Sequence, residues 1–150
     1  AKEDEITFPN KEKLKFDLRN IISNVYSDEY KVSVKCAKNI DDNLKIKDVE
    51  TNAFSLAYEI RPSRCQIANN YISPCLTAKM GTGGNNVPVV ISQKRKLTEK
   101  ECLQIMGFPN DYKIKEGYQS YKQIGNSVVV PIIQLLAHEV CRLLKKGGNE

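Results

Sequence analysis

The sequence lacks the features that define several broad classes of protein. No run approaches the roughly 20 apolar residues that a membrane-spanning helix needs, and the longest apolar stretch, residues 128–133, contains Pro131. The first five residues have neither a basic lead nor an apolar core, so no secretory signal is predicted. The chain also has no initiating Met, which suggests a processed chain or a piece excised from a longer one.

Cysteine and histidine are too few and too scattered for a disulfide framework or a zinc site. The five cysteines are an odd number and widely spaced, and His138 is the only histidine. A disulfide framework uses an even set of cysteines, and a zinc site needs clustered ligands. We therefore interpret the cysteines as reduced thiols of a cytoplasmic protein, most of which fill its core, and we expect no metal cofactor.

What the chain does have is a globular composition with an uneven charge. It contains 41% hydrophobic and 27% charged residues over 150 positions, the length of one ordinary domain. Residues 1–60 sum to a charge of −2 and residues 61–150 to +7. A basic half favours a polyanionic partner, most simply nucleic acid. A solvated lysine-rich surface explains the same charge at least equally well.

The clearest local pattern lies in the last third of the chain. Thr98 and Glu101 form a capping box, which predicts a helix that runs to about Met106 and stops at Gly107. A long amphipathic helix is predicted over residues 127–146, and its apolar face needs a partner surface.

Earlier segments carry weaker patterns. A short helix is predicted near residues 18–22, and an exposed strand or loop over residues 41–50. Residues 72–91 predict two strands joined by a glycine-rich turn. Together these elements give an α+β chain.

Three stretches are distinctive: Arg-Lys-Leu-Thr at residues 95–98 with Met-Gly-Phe-Pro at 106–109, Tyr-Lys-Gln-Ile-Gly-Asn-Ser-Val at 121–128, and Ser-Pro-Cys-Leu-Thr-Ala at 73–78. Together they resemble the C-terminal part of the cytosine-C5-specific DNA methyltransferases of bacterial restriction–modification type. Residues 95–109 resemble motif nine of that family. Residues 121–128 resemble motif ten. Residues 73–78 and 81–86 resemble the end of the target-recognition domain, and residues 6–9 resemble the segment after motif eight.

The resemblance implies a division of the chain into four segments. Residues 1–29 would connect to a missing catalytic domain, and residues 30–94 would form a β-rich target-recognition domain. Residues 95–118 would hold the motif nine helix and its loop, and residues 119–150 motif ten and the C-terminal helix. These helices would normally complete the missing α/β methyltransferase domain.

The family's catalytic groups are absent from the sequence. There is no glycine-rich cofactor motif after a strand, no Glu-Asn-Val and no Arg-x-Arg. The one Pro-Cys pair ends at Cys75, inside the target-recognition stretch, so Cys75 is not interpreted as the nucleophile. We therefore expect no catalytic residue in this chain.

The resemblance also implies which residues would contact DNA. Members of the family approach the major groove with two loops, where arginine and glutamine read base edges and lysines touch phosphate. A surface salt bridge is the alternative for Arg61, and a role in bracing the recognition domain is the alternative for Arg95. The candidate DNA-binding residues are Arg61, Arg64, Gln66, Lys79, Thr82, Gly83, Gly84, Asn85, Lys94, Arg95 and Lys96.

Asn126 and Ser127 are the predicted cofactor contacts. They precede the predicted long helix, so free backbone N–H groups and two short polar side chains would face one point. That geometry suits the carboxylate of S-adenosyl-L-methionine, whose pocket this motif lines in the family. The alternative is that Ser127 is a plain helix N-cap.

Three hypotheses about function remain open. The leading one is the DNA-recognition and C-terminal part of a cytoplasmic bacterial DNA (cytosine-5-)-methyltransferase, inactive alone, with double-stranded DNA and a missing catalytic domain as partners. The second is the encoded small subunit of a split methyltransferase. The third is a non-enzymatic DNA-binding module derived from one. No membrane partner is expected, and an isolated chain would bury its C-terminal helix in a homodimer or against its own recognition domain.

Overall fold

A four-stranded antiparallel sheet organises the part of the chain that the computed structural model describes, residues 17–82 and 86–147. The sheet order is β2-β1-β3-β4. The strands are β1 (Leu56–Arg61), β2 (Arg64–Ala68), β3 (Val89–Val90) and β4 (Arg95–Lys96).

Helices lie before, between and after the strands. The α-helices are α1 (Leu18–Ile21), α2 (Val34–Lys47), α3 (Glu99–Ile105), α4 (Tyr118–Asn126) and α5 (Val130–Gly147). Two 3₁₀ helices cover Asp28–Tyr30 and Ala78–Thr82. This mixture of helices with an antiparallel sheet is the predicted α+β class.

The sheet has a hydrophobic cluster on each face. Successive residues of a strand point to opposite faces, and the pairs Leu56 with Val90 and Ala57 with Val89 follow this rule across β1 and β3. The first of these pairs belongs to a core that includes α3 and α4, and the second to a core covered by α2. The first core draws residues from position 18 to position 124, so it crosses the predicted segment boundaries at 94/95 and 118/119.

The prediction of a strand or loop over residues 41–50 is wrong, because α2 extends to Lys47. The Ser33 hydroxyl accepts a hydrogen bond from the Cys36 amide and caps the start of this helix. Cys36 and Ile40 are buried one turn apart and face the sheet. The many charged residues of the exposed side hid this apolar stripe in the sequence, and Asp48 ends the helix with a left-handed backbone.

The prediction of a long hairpin over residues 72–91 is also wrong in its first half. Residues 72–77 form no strand, and residues 78–82 form a 3₁₀ helix whose Met80 is buried. Only Val89–Val90 of the expected second strand pairs with the sheet. The segment packs against α4 instead of pairing, as described below, and the glycine-rich turn at residues 83–85 lies outside the described residues.

The capping box that opens α3 is confirmed. The Thr98 hydroxyl accepts from the Glu101 amide at 3.1 Å, and the Glu101 carboxylate accepts from the Thr98 amide at 2.8 Å. The helix ends at Ile105, and Gly107 follows with a left-handed φ of 81°.

The long C-terminal helix begins three residues later than predicted, at Val130 instead of Ser127. Its start packs closely on the turn after α3, where the Val130 amide donates to the Met106 carbonyl at 2.9 Å. A Cβ at Gly107 would lie 2.4 Å from Cδ of Pro131, so only glycine permits this approach.

Candidate functional site

The β1–β2 hairpin presents two candidate arginines at its tip. Arg61 and Arg64 lie directly opposite one another in the strand register, and both are exposed. The register shifts between Tyr58 and Arg61, and Glu59 has a φ of 51°, which marks an irregularity of the kind that redirects side chains. Gln66 is half-buried farther along β2.

The salt bridge considered for Arg61 is formed by Arg64 instead. The Arg64 guanidinium contacts the Glu59 carboxylate at 2.8 Å, and both side chains are more than half exposed. An exposed pair of this kind contributes at most about 1 kcal/mol. It therefore leaves Arg64 available to a stronger anionic or base partner.

A cavity of about 400 Å³ joins the hairpin to the second candidate loop. Arg61 lines it from one side and Asn86, which follows the glycine-rich turn, from another. Lys35, in the first turn of α2, also lines it. Sequence reasoning missed Lys35 because it did not predict α2; the helix N-cap at Ser33 was the signal that could have found it.

Thr82 and Lys79 lie at the entrance to the glycine-rich turn. Both are exposed, and the Thr82 hydroxyl donates to the Lys79 carbonyl at 2.7 Å. The Asn86 amide donates to the same hydroxyl at 3.2 Å, which ties the two ends of the turn together. The predicted contacts within the turn, Gly83, Gly84 and Asn85, lie outside the described residues.

Lys94 and Lys96 already have partners within the chain. The Lys94 ammonium contacts the Asp41 carboxylate of α2. The Lys96 ammonium lies 5.4 Å from the centre of the Tyr118 ring and 3.4 Å from its hydroxyl oxygen. Both lysines are partly exposed, so these contacts compete with any phosphate.

Arg95 lies in the core. This position fits the alternative role given above, in which Arg95 braces the recognition domain and does not bind phosphate. Its side chain has no exposed surface, and its two terminal nitrogens each contact one Glu101 carboxylate oxygen at 2.7 Å. The other donors reach the Ser23 and Lys96 carbonyls and the Gln93 side chain. All five N–H donors of the guanidinium are thereby used, so none is left for a phosphate.

Glu101 carries the matching negative charge. Burial raises the pKa of its carboxyl, but the Arg95 guanidinium and the amides of Ser23 and Thr98 outweigh this and hold the pKa below its ordinary value. The ion pair therefore persists at neutral pH. Arg95 also lies 4.5 Å from the centre of the Tyr26 ring, which seals its outer side.

Asn126 and Ser127 stand at the end of a helix, not at the beginning of one. Asn126 is the last residue of α4, and both the amide and the hydroxyl of Ser127 donate to the Ile124 carbonyl, at 3.0 and 2.6 Å. Ser127 therefore caps the C-terminus of α4, and the alternative role of Ser127 as a helix N-cap is wrong. The Ser127 amide and hydroxyl are therefore not free donors, unlike the expectation for this residue.

These two residues nevertheless border open space. The Asn126 side chain is exposed, and Ser127 lines a cavity of about 200 Å³ together with Phe108, Tyr112 and Gln123.

The cysteines do not form a reactive centre. Cys36, Cys65 and Cys102 are buried, and burial raises the pKa of all three thiols. Cys75 and Cys141 are exposed. Within residues 17–82 and 86–147, no three His, Cys, Asp or Glu side chains are grouped as metal ligands would be.

Helix α5 exposes an apolar face. Its outward side chains, together with those just before it, are Val128, Val129, Ile132, Ile133, Leu136, Val140 and Leu144, all at least 37% exposed. The segment Tyr118–Lys145, which contains α4 and most of α5, is long and apolar enough by length and composition to cross a membrane. A core helix of a soluble protein has the same length and composition, so this feature alone assigns no membrane role.

The sequence profile of the C-5 cytosine-specific DNA methylases matches residues 2–142. The match covers nearly the whole chain, and this chain belongs to that family.

Particular relatives are bacterial Type II methyltransferases. The chain is 42% identical to M.Bsp6I of Bacillus sp. (strain RFL6) over 87 residues, 55% of this chain and 28% of the relative. It is 42% identical to M.HhaI of Haemophilus parahaemolyticus over 60 residues, 39% of this chain and 17% of the relative. It is 28% identical to M1.ScrFI of Lactococcus lactis subsp. cremoris over 133 residues, 85% of this chain and 32% of the relative. The alignments thus span less than a third of each relative's length.

Proposed function

We propose that this chain supplies the DNA-recognition and C-terminal part of a DNA (cytosine-5-)-methyltransferase of the bacterial cytoplasm. The whole enzyme would transfer a methyl group from S-adenosyl-L-methionine to C5 of a cytosine in a specific double-stranded sequence. The observation that carries the proposal is the uncovered apolar face of α5, in a chain that aligns with less than a third of each relative's length. A face of this size needs a partner.

The DNA-binding part of the proposal rests on the hairpin tip and the neighbouring turn. Arg61 and Arg64 are exposed at the tip, and Arg61 shares a cavity with Asn86 beside the turn. Two loops that converge in this way can enter one groove, where an arginine can bond guanine in two places. Lys79 and Lys35 flank them and would contact phosphate.

The cofactor part of the proposal rests on Asn126. Its exposed carboxamide offers donors to a carboxylate, whereas the Ser127 hydroxyl is committed to the Ile124 carbonyl. The Ser127 oxygen can still accept a hydrogen bond, which suits the ammonium group of S-adenosyl-L-methionine better than its carboxylate. These residues would supply one wall of the pocket, and the bound cofactor would supply the methyl group.

The apolar face of α5 would dock on the catalytic domain or catalytic subunit. Its outward residues recur at spacings of three and four, so they form one continuous stripe that a second hydrophobic surface can cover. In the isolated chain the same stripe would hold two copies together as a homodimer.

The test is complementation with tritiated S-adenosyl-L-methionine and duplex DNA of mixed sequence. The chain alone should bind DNA weakly, with a log–log salt slope near −4 for about four phosphates, and should incorporate no tritium. Addition of the part of M.Bsp6I that the alignment does not cover should restore incorporation. Leu136→Asp on the apolar stripe should abolish this restoration, whereas the matched change Gln134→Asp on the same helix should not.

Two results would contradict the proposal. Tritium incorporation by the purified chain alone would show that it is a complete enzyme. DNA binding without any complementation, and unaffected by Leu136→Asp, would favour the non-enzymatic DNA-binding module.

A further inference from the structure

The segment before the glycine-rich turn touches α4 backbone to backbone at two glycines. A Cβ on Gly125 would lie 2.1 Å from the carbonyl carbon of Thr77 and 2.3 Å from the amide nitrogen of Ala78. A Cβ on Gly81 would lie 2.3 Å from Cβ of Lys122 and 2.7 Å from the Tyr118 carbonyl oxygen. We call this pair, Gly81 and Gly125, the glycine contact.

Both positions require glycine for steric reasons alone. The positive φ values among the described glycines belong to Gly107 and Gly117, so Gly81 and Gly125 have backbones that any residue could adopt. A side chain at either position would have to push two pieces of backbone apart. Each glycine therefore allows the two backbone segments to lie close together, and neither glycine is needed for a left-handed turn.

The surrounding core leaves little room for such a movement. Met80 and Ile124, which precede the two glycines, are each 1% exposed and belong to the same hydrophobic cluster. The Tyr121 hydroxyl of α4 donates to the Leu97 carbonyl at 2.5 Å and fixes the helix against the sheet side of the cluster. A closely packed interior of this kind transmits a displacement and does not absorb it.

Each glycine stands next to a residue of the proposed function. Thr82 follows Gly81 and leads into the turn at residues 83–85, and Asn126 follows Gly125. We propose that Gly81 and Gly125 are positioning residues, which fix the 3₁₀ helix and its last residue, Thr82, at a set distance from the helix that carries the cofactor residues. This inference rests on the proposed function and adds the element that joins its two sites.

The experiment compares Gly81→Ala, Gly125→Ala and the double variant of the full chain with Gly117→Ala. The control variant strains the start of the same helix, since Gly117 has a φ of 124°, but its Cβ would meet nothing within 4 Å. Hydrogen exchange of the Met80 amide, which donates to the Thr77 carbonyl, reports on the 3₁₀ helix. Fluorescence anisotropy with a labelled duplex reports on DNA affinity, and urea unfolding provides the stability correction.

Both single variants should speed Met80 exchange and lower DNA affinity about tenfold, the loss of roughly one base contact. Gly117→Ala should do neither, even where it lowers the urea midpoint equally. The double variant should lose no more affinity than the worse single variant, because the contact is already open. Gly81→Ala is the milder change, since its Cβ would lie 2.7 and 2.8 Å from backbone atoms and that of Gly125→Ala 2.1 and 2.3 Å, and it serves alone if Gly125→Ala does not fold.

Three results would overturn the inference. Unchanged Met80 exchange would show that the glycines do not position the 3₁₀ helix. Faster exchange with unchanged DNA affinity would show that the position does not matter for recognition, and the proposed function would stand. A wild-type chain that binds no duplex DNA would overturn the proposed function itself and this role with it.

Discussion

Helices α3 and α5 differ in whether their side chains find partners within the chain. The short α3 carries two buried carboxylates, and each is fully bonded within the chain. Glu101 pairs with Arg95, while Glu99 accepts from the Tyr30 hydroxyl at 2.8 Å and the Gly117 amide at 2.7 Å. The long α5 exposes its large apolar side chains to solvent.

The difference separates a region whose buried polar groups are all bonded within the chain from a region that exposes apolar side chains. Around α3, the described residues leave no buried side-chain nitrogen or oxygen atom without a hydrogen-bond partner. This region holds the connecting segment, the sheet edge and the start of α4 together through charge and hydrogen bonds. Helix α5 instead leaves an apolar face exposed among the described residues, and this face is the one proposed above to dock on a second surface.

Removal of Arg95 should give the largest effect. Arg95→Ala leaves the Glu101 carboxylate buried without its counterion, and such changes cost about 3–5 kcal/mol of unfolding free energy. Arg64→Ala, which removes the exposed ion pair with Glu59, should cost no more than about 1 kcal/mol. Urea unfolding of both variants measures the contrast, and equal losses would show that Arg95 is not the brace described above.

The Glu101 pair should also make the region around α3 sensitive to acid. The folded pKa of Glu101 lies below its ordinary value of 4.5, so its stabilising contribution is full above that pH and is lost as pH falls through the lowered folded pKa. Thermal unfolding between pH 6 and pH 3 should therefore fall more steeply for the wild type than for Glu101→Gln, which cannot titrate there. Parallel curves would contradict a lowered pKa at Glu101.

The difference between local and long-range contacts explains which features could be predicted from the sequence. The capping box at Thr98 and Glu101 and the turn at Gly107 were predictable because their signals lie within one helix and its ends. The amphipathic pattern of α5 was equally local. Helix α2 was not predicted, since its few buried residues are dispersed among charged ones and become meaningful only when the sheet is present.

Long-range contacts account for what sequence reasoning missed at the site. The sequence left phosphate binding and a bracing role equally open for Arg95, because its partners, Glu101 and Ser23, are brought to it by the fold. Ser127 was expected to open a helix, yet the start of α5 is set by packing between Pro131 and Gly107. The close approach of Gly125 to Thr77 likewise has no signature in a single sequence.

Helix α5 should give the smallest effect on stability and still a large effect on assembly. Leu136 is 37% exposed, so Leu136→Asp should change the unfolding free energy of the monomeric chain by about 0.5 kcal/mol or less, as for other surface positions. Leu103→Ala on α3, where the side chain is 4% exposed, should cost about 2–5 kcal/mol. Sedimentation velocity, run beside the unfolding series, should show any homodimer of the wild-type chain dissociated by Leu136→Asp, because a charge would then interrupt the apolar stripe. A loss of stability at Leu136 as large as at Leu103, with no change in sedimentation, would mean that α5 is covered within the chain and needs no partner.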